Sequence, residues 1–235
     1  MYKDITFAKR VLQFYEKLEQ ETVNLPEGFK IINPYKGKNK DVVKKIANIF
    51  YGKYYNDNNT RRFILGSSPA RRGSAITGIP FEDSVHLKKV TGIDIEKFNI
   101  NKSSSSFLNE VISKYGGSRK FYLDYYMNFV CPLGITRINS KGKEINCNYY
   151  ENKRLKDVLQ SFIISSLEEQ IAFGIDTSVC YCIGSGENYD FLTEINASKH
   201  YFDNIVPLEH PRYIMQYNLE QKEFYIEKYM KALSK

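Results

Sequence analysis

The feature that most constrains this sequence is a short apolar run, Arg61-Arg-Phe-Ile-Leu65, that passes without a spacer into Gly66-Ser-Ser-Pro69. Such a run fits a buried strand, and the glycine and proline that follow cannot extend it. Three further runs share this character: Tyr126–Cys131, Ser178–Ile183 and Asn204–Pro207. Between them lie stretches whose apolar residues recur every three or four positions: Ser106–Tyr115 before Gly116-Gly117, Arg154–Phe173 before Gly174, and Tyr189–Ser198. That spacing predicts helices, and glycine past the last apolar position is a common helix stop. Strands alternating with helices predict an α/β chain, a three-layer α/β/α fold around a mostly parallel sheet of four to five strands. Ligands of such sheets bind beyond the carboxyl ends of the strands, so a site is expected in the loops after Leu65, Cys131, Ile183 and Pro207.

Outside this pattern, Ile5, Val11, Leu12, Tyr15 and Leu18 predict a first helix that ends before Leu25-Pro-Glu-Gly28. A second amphipathic helix is expected over Asp41–Tyr54, a hairpin turn at Asn139-Ser-Lys-Gly142, and a closing helix over Gln221–Leu233. No repeat, long linker or composition break divides the chain. Residues 1–235 are therefore read as one domain, with residues 1–60 as a peripheral helical part.

A net charge of +7 favours a polyanionic partner, nucleic acid first and an anionic membrane surface second. No run approaches the length of a membrane span. Lys3, Asp4, Lys9 and Arg10 break up the apolar positions near the start, unlike a secretory leader. A cytoplasmic, nucleoid-associated monomer is the expectation. The four cysteines, Cys131, Cys147, Cys180 and Cys182, are compatible with an iron–sulfur or zinc site. Cys180 and Cys182 alternate within a strand and so share one face, and buried reduced thiols are the reading preferred over a metal. No cofactor is expected.

The loop after the first strand reads Gly66-Ser-Ser-Pro-Ala-Arg-Arg-Gly-Ser-Ala-Ile-Thr-Gly-Ile-Pro-Phe81. It is neither a Walker loop nor a dinucleotide fingerprint. After the last strand come Glu209-His-Pro-Arg-Tyr-Ile-Met-Gln216, and the second strand runs into Asn128-Phe-Val-Cys-Pro-Leu133. Together these resemble the motifs of the uracil-DNA glycosylase superfamily, closest to its single-strand-selective monofunctional branch and a bacterial offshoot of it. In that branch the pattern is Gly-x-Asn-Pro-Gly, a spacer and Thr-Gly-Val-Pro-Phe, then Asn-x-Cys-Pro-Leu, then His-Pro-Ser-Pro-Arg. Three such motifs in order are specific where one alone would be weak.

The resemblance implies hydrolysis of the N-glycosidic bond of uracil, or of hypoxanthine or xanthine, in DNA holding a deaminated base, without strand cleavage. It assigns His210 the hydrogen bond to the departing base and Phe81 the stack beneath it, with Gly66, Pro69 and Ala70 shaping the pocket. Asn128 is the candidate for reading the base edge, although strict alignment on Cys131 puts Phe129 at that position. Arg212, Tyr213 and Ile214 fall where the family inserts a wedge into the duplex. Arg71 and Arg72 are candidate phosphate contacts.

One catalytic position departs from the pattern. Ser68 stands where the branch has asparagine, and Ala70 where it has glycine. A serine hydroxyl can bind a water but is no useful base at neutral pH. The expectation is therefore a slower or altered glycosylase, with Ser68, nearby backbone carbonyls or Asp83 orienting the water. The alternative is a weak or inactive reader of deaminated or single-stranded DNA. A generic nucleotide-binding α/β protein explains neither the arginines of the first loop nor His210-Pro-Arg.

Overall fold

The computed structural model describes residues 5–98, 100 and 103–234; Lys3 and Asp4, used above, lie outside them. The chain begins with α1 (Phe7–Gln20), β1 (Phe29–Ile32), α2 (Lys40–Tyr54) and β2 (Arg61–Gly66). After β2 come two short helices, α3 (Ser74–Thr77) and α4 (Ser84–Thr91), then α5 (Ser103–Tyr115) and α6 (Ser118–Asp124). The middle of the chain holds β3 (Tyr125–Phe129), β4 (Gly134–Ile138), β5 (Glu144–Cys147) and α7 (Lys153–Ile171). It closes with β6 (Ile175–Ile183), α8 (Glu187–Lys199), β7 (Ile205–Leu208), α9 (Pro211–Tyr217) and α10 (Lys222–Leu233).

Strands β3, β2, β6 and β7 form, in that order, a four-stranded sheet in which every neighbouring pair is parallel. Each predicted strand run is one of these four strands. All residues of β3 are buried, so helices cover both faces, as a parallel sheet requires. The expected α/β architecture is present, at the four-stranded end of its range.

Of the second sheet, the sequence predicts only the hairpin around Asn139–Gly142; β1 and its pairing have no counterpart there. Strands β1, β4 and β5 pair antiparallel, and the predicted turn at Asn139–Gly142 joins β4 to β5. This small sheet packs on the loop after β2. An added Cβ on Gly134 of β4 would lie 2.9 Å from the Pro69 carbonyl oxygen and 3.0 Å from the Ala75 Cβ. Only glycine allows that approach.

Residues 5–60, expected as a peripheral part, contribute to the core rather than only covering it. Phe7, Val11 and Phe14 of α1 are buried, and the Phe7 ring meets Tyr126 of β3 edge-on at 5.2 Å. Arg61, fully buried at the start of β2, places its guanidinium 4.7 Å from the centre of the Phe7 ring and 4.8 Å from that of Tyr55. It also pairs with Asp57 at 2.8 Å, and so ties the N-terminal segment to the sheet. Among the described residues no helix is long and apolar enough to cross a membrane.

Candidate active site

A cleft of about 920 Å³ opens at the carboxyl ends of the parallel strands. Ser67 and Ser68 enter it after β2, Phe129 ends β3, Ile183 ends β6, and His210 follows β7. Three of the four loops expected to carry the site, those after Leu65, Ile183 and Pro207, reach it; from the strand before Cys131 it is Phe129, the last residue of β3, that lines the cleft.

Gly66 lies beneath the floor of the cleft. A Cβ at this position would lie 2.6 Å from Phe81 Cζ and 2.9 Å from Phe129 Cδ1, so the two rings close over a residue without a side chain. Their centroids are 5.1 Å apart with the planes inclined by 32°. Phe81 is held with φ at +59°, a left-handed conformation that costs a non-glycine residue free energy. Its N–H donates to Ser74 Oγ at 2.9 Å, which fixes the turn that presents the ring.

His210 caps α9. Its Nδ1 accepts from the Arg212 N–H at 3.0 Å, which assigns the ring proton to Nε2. Burial lowers the imidazole pKa to about 4, and the Arg212 charge pushes the same way. His210 is thus a neutral ring at physiological pH whose remaining polar atom is an N–H donor.

The opposite wall comes from the small antiparallel sheet. Its hairpin brings Lys143, Asn146 and Asn148 to the cleft, along with Tyr150. Asn146 Oδ1 accepts from the Arg71 backbone N–H at 2.7 Å and so fixes the arginine-bearing loop. Asn148 Oδ1 accepts from Ser67 Oγ at 3.1 Å and from Ser68 Oγ at 3.2 Å. Glu82 also lines the cleft, with its carboxylate bound by the Tyr122 hydroxyl and the His86 ring.

A match to the uracil DNA glycosylase superfamily spans residues 53–234. The chain belongs to the uracil-DNA glycosylase superfamily. The wild-type crystal structure of Pedobacter heparinus SMUG2 is similar to it, with a TM-score of 0.92 and 43% sequence identity over 98% of this chain and 97% of that one. Comparison with curated proteins finds no match. Membership carries a uracil-DNA glycosylase-type function.

Within this glycosylase fold the cleft gathers Ser68, Ala70, Arg71, Arg72 and Phe81 from the first motif, and His210, Arg212 and Tyr213 from the last. Tyr213 is 48% exposed. Gly66 and Pro69 do not line the cleft; they shape it through the backbone, under the phenylalanines and against Gly134.

Three assignments need correction. Asn128 does not reach the cleft. Strand alternation turns it to the face opposite Phe129, where it is 2% exposed and donates to the Tyr126 hydroxyl at 2.8 Å. Its Oδ1 accepts from the Phe129 N–H, so the amide is committed within the core, and Phe129 holds the cleft position. Ile214 is fully buried in the core and unavailable as a wedge, because α9 turns it inward between the outward Tyr213 and Tyr217. Asp83 does not line the cleft either. Its Oδ1 caps α4 by accepting from the Val85 and His86 N–H groups, and its Oδ2 accepts from Ser105.

All four cysteines are free and buried; burial raises the Cys131 and Cys182 thiols to about 12, so none is an available thiolate. Among the described residues no group of three or more His, Cys, Asp or Glu is placed to hold a metal ion. Gly184, directly after β6, also lines the cleft. Asn146 and Asn148 carried no signal in the sequence, since nothing local marks a hairpin end as facing a loop some eighty residues earlier.

Proposed function

We propose that this chain is a monofunctional DNA glycosylase that releases uracil from DNA by base flipping, with hypoxanthine and xanthine as further substrates, and so starts base excision repair. The observation that carries this reading is the pairing, in one cleft, of a ring platform on Phe81 with a neutral His210 whose free polar atom is a donor. A planar base removed from the stack has a surface to lie on, and negative charge developing on it meets an N–H rather than a second charge.

The reaction follows from these parts. As the C1′–N bond breaks, its electron pair leaves with the base, and His210 Nε2–H hydrogen-bonds the oxygen where that charge gathers. A water adds through its oxygen to C1′, and its released proton passes to solvent while the base takes one up. Ser68, on the same cleft wall as the motif-one arginines, is the residue assigned to that water. Arg71, Arg72 and Arg212 contact phosphates, and Tyr213 is the side chain that enters the gap left by the flipped nucleotide. No step needs a cofactor, an amine nucleophile or a second copy of the chain. The protein acts as a monomer on chromosomal DNA in the cytoplasm.

The test is single-turnover release from labelled oligonucleotides containing uracil, hypoxanthine or xanthine, single- and double-stranded, with alkali to reveal abasic sites. His210→Ala is expected to slow release by roughly 10²- to 10³-fold. Strand breakage without alkali would overturn the monofunctional assignment. Intact binding to abasic DNA with no base released from any substrate would make the chain a reader instead.

A further inference from the structure

We infer that Asn148 is a water-positioning residue: it takes the hydroxyl proton of Ser68, so that Ser68 Oγ faces the cleft with its lone pairs and holds the attacking water by hydrogen. This rests on the glycosylase reading above and adds to it a residue from outside the family's motifs.

A water that attacks C1′ must aim a lone pair at that carbon, so its hydrogens need acceptors. A free serine hydroxyl is ambivalent here. It can accept from the water, or it can donate to the water's oxygen and occupy the electron pair that has to react. Whatever fixes the hydroxyl proton decides between these.

Asn148 Oδ1 lies 3.2 Å from Ser68 Oγ, and the orientation of the amide follows from its other end. Asn148 Nδ2 and the Asn148 backbone N–H both reach Glu151 Oε1, at 3.0 and 2.8 Å. A carboxylate oxygen only accepts, so the NH₂ group must point there and the carbonyl toward the serines. Facing a carbonyl, the Ser68 hydroxyl must donate.

The loop that carries Asn148 is held on both sides. The Tyr149 hydroxyl donates to Asn188 Oδ1 at 2.7 Å, and Asn152 caps α7 by accepting from the Leu155 N–H at 3.1 Å. Asn148 is therefore a fixed acceptor reaching Ser68 from the opposite wall, and the two act as one unit in place of a single amide on the loop after β2.

The experiment is single-turnover uracil release by the wild-type chain, Ser68→Ala, Asn148→Ala, the Ser68→Ala/Asn148→Ala double variant and the Ser68→Asn/Asn148→Ala double variant. Melting temperature and affinity for abasic-site DNA are measured alongside. Asn148→Ala is expected to slow release by roughly 10- to 100-fold, the scale of a misplaced reactant, with abasic-site affinity unchanged. Removing both side chains should be no worse than removing Ser68 alone, within about twofold, as for residues that act as a unit. Ser68→Asn should recover roughly tenfold or more in the Asn148→Ala background, because it brings a carbonyl acceptor to the same backbone position. A residue that merely holds its loop through Glu151 would not be rescued in this way. Wild-type release matched by Asn148→Ala, or no rescue by Ser68→Asn, overturns the inference and leaves the glycosylase reading standing. No release by the wild-type chain overturns both.

Discussion

The rings of Phe81 and Phe129 meet 5.1 Å apart directly over Gly66, although they arrive from different loops. Phe81 is carried there by a left-handed turn fifteen residues after Gly66, and Phe129 by the last position of β3, which pairs in register with Gly66 itself. The floor of the cleft is thus built where two parallel strands end side by side.

Gly66→Ala tests this arrangement. Its Cβ would sit 2.6 Å from Phe81 Cζ, and that ring cannot recede without leaving its platform position. Overpacking of this kind costs about 1–3 kcal/mol, so a lower melting temperature is expected together with slower base release. Unchanged melting and unchanged release would show that the floor is not closed as described.

The ionisation of His210 gives a pH prediction. Its folded pKa is lowered to about 4 from a reference value of 6.5, so the ring stays neutral in the folded chain between those values while the unfolded chain takes up a proton. The histidine's contribution to stability therefore declines as pH falls from 6.5 toward 4. Release should persist through pH 5 and fail only when Nδ1 is protonated, because it can then no longer accept from the Arg212 N–H. A single-turnover pH profile whose acid limb attributable to His210 has its midpoint near 6.5 would contradict this.

Asn128 and Phe129, neighbours in sequence, are expected to fail in opposite ways. Asn128→Ala removes two buried hydrogen bonds, a loss of about 1–3 kcal/mol in stability, and leaves the ranking of substrate bases as it was. Phe129→Leu removes about 0.5–1.5 kcal/mol of ring contact from the cleft, which slows release by up to roughly tenfold. Parallel measurements of melting and of release on uracil and xanthine substrates separate the two. A change of base preference in Asn128→Ala would return that residue to the site.

Much of this site was legible because its signals are local. Gly66, Ser68 and Phe81 lie within one loop whose glycines and prolines announce an enforced path, and His210-Pro-Arg follows directly on a strand. The helix stops at Gly116 and Gly174 were equally direct. The wrong assignments arose where one position decides the face. The spacing to Cys131 leaves Asn128 and Phe129 as alternatives, and a one-residue shift along a strand exchanges core for cleft. Ile214 is the same case on a helix, where Tyr213 just before it and Tyr217 three residues after it face outward while Ile214 turns into the core.

The sequence by itself determined the alternation of strands and helices, the loops that bear the chemistry and the superfamily, because each is written in consecutive residues. Only the tertiary structure decided that the N-terminal helix is core, that β1 joins a second sheet, and that Asn148 stands against Ser68. Those contacts join residues far apart in the chain. The Ser68–Asn148 hydrogen bond spans eighty positions, and the pairing of β1 with β4 about a hundred. No local propensity records such distances; they exist only once burial of the shared core has brought the two sheets together.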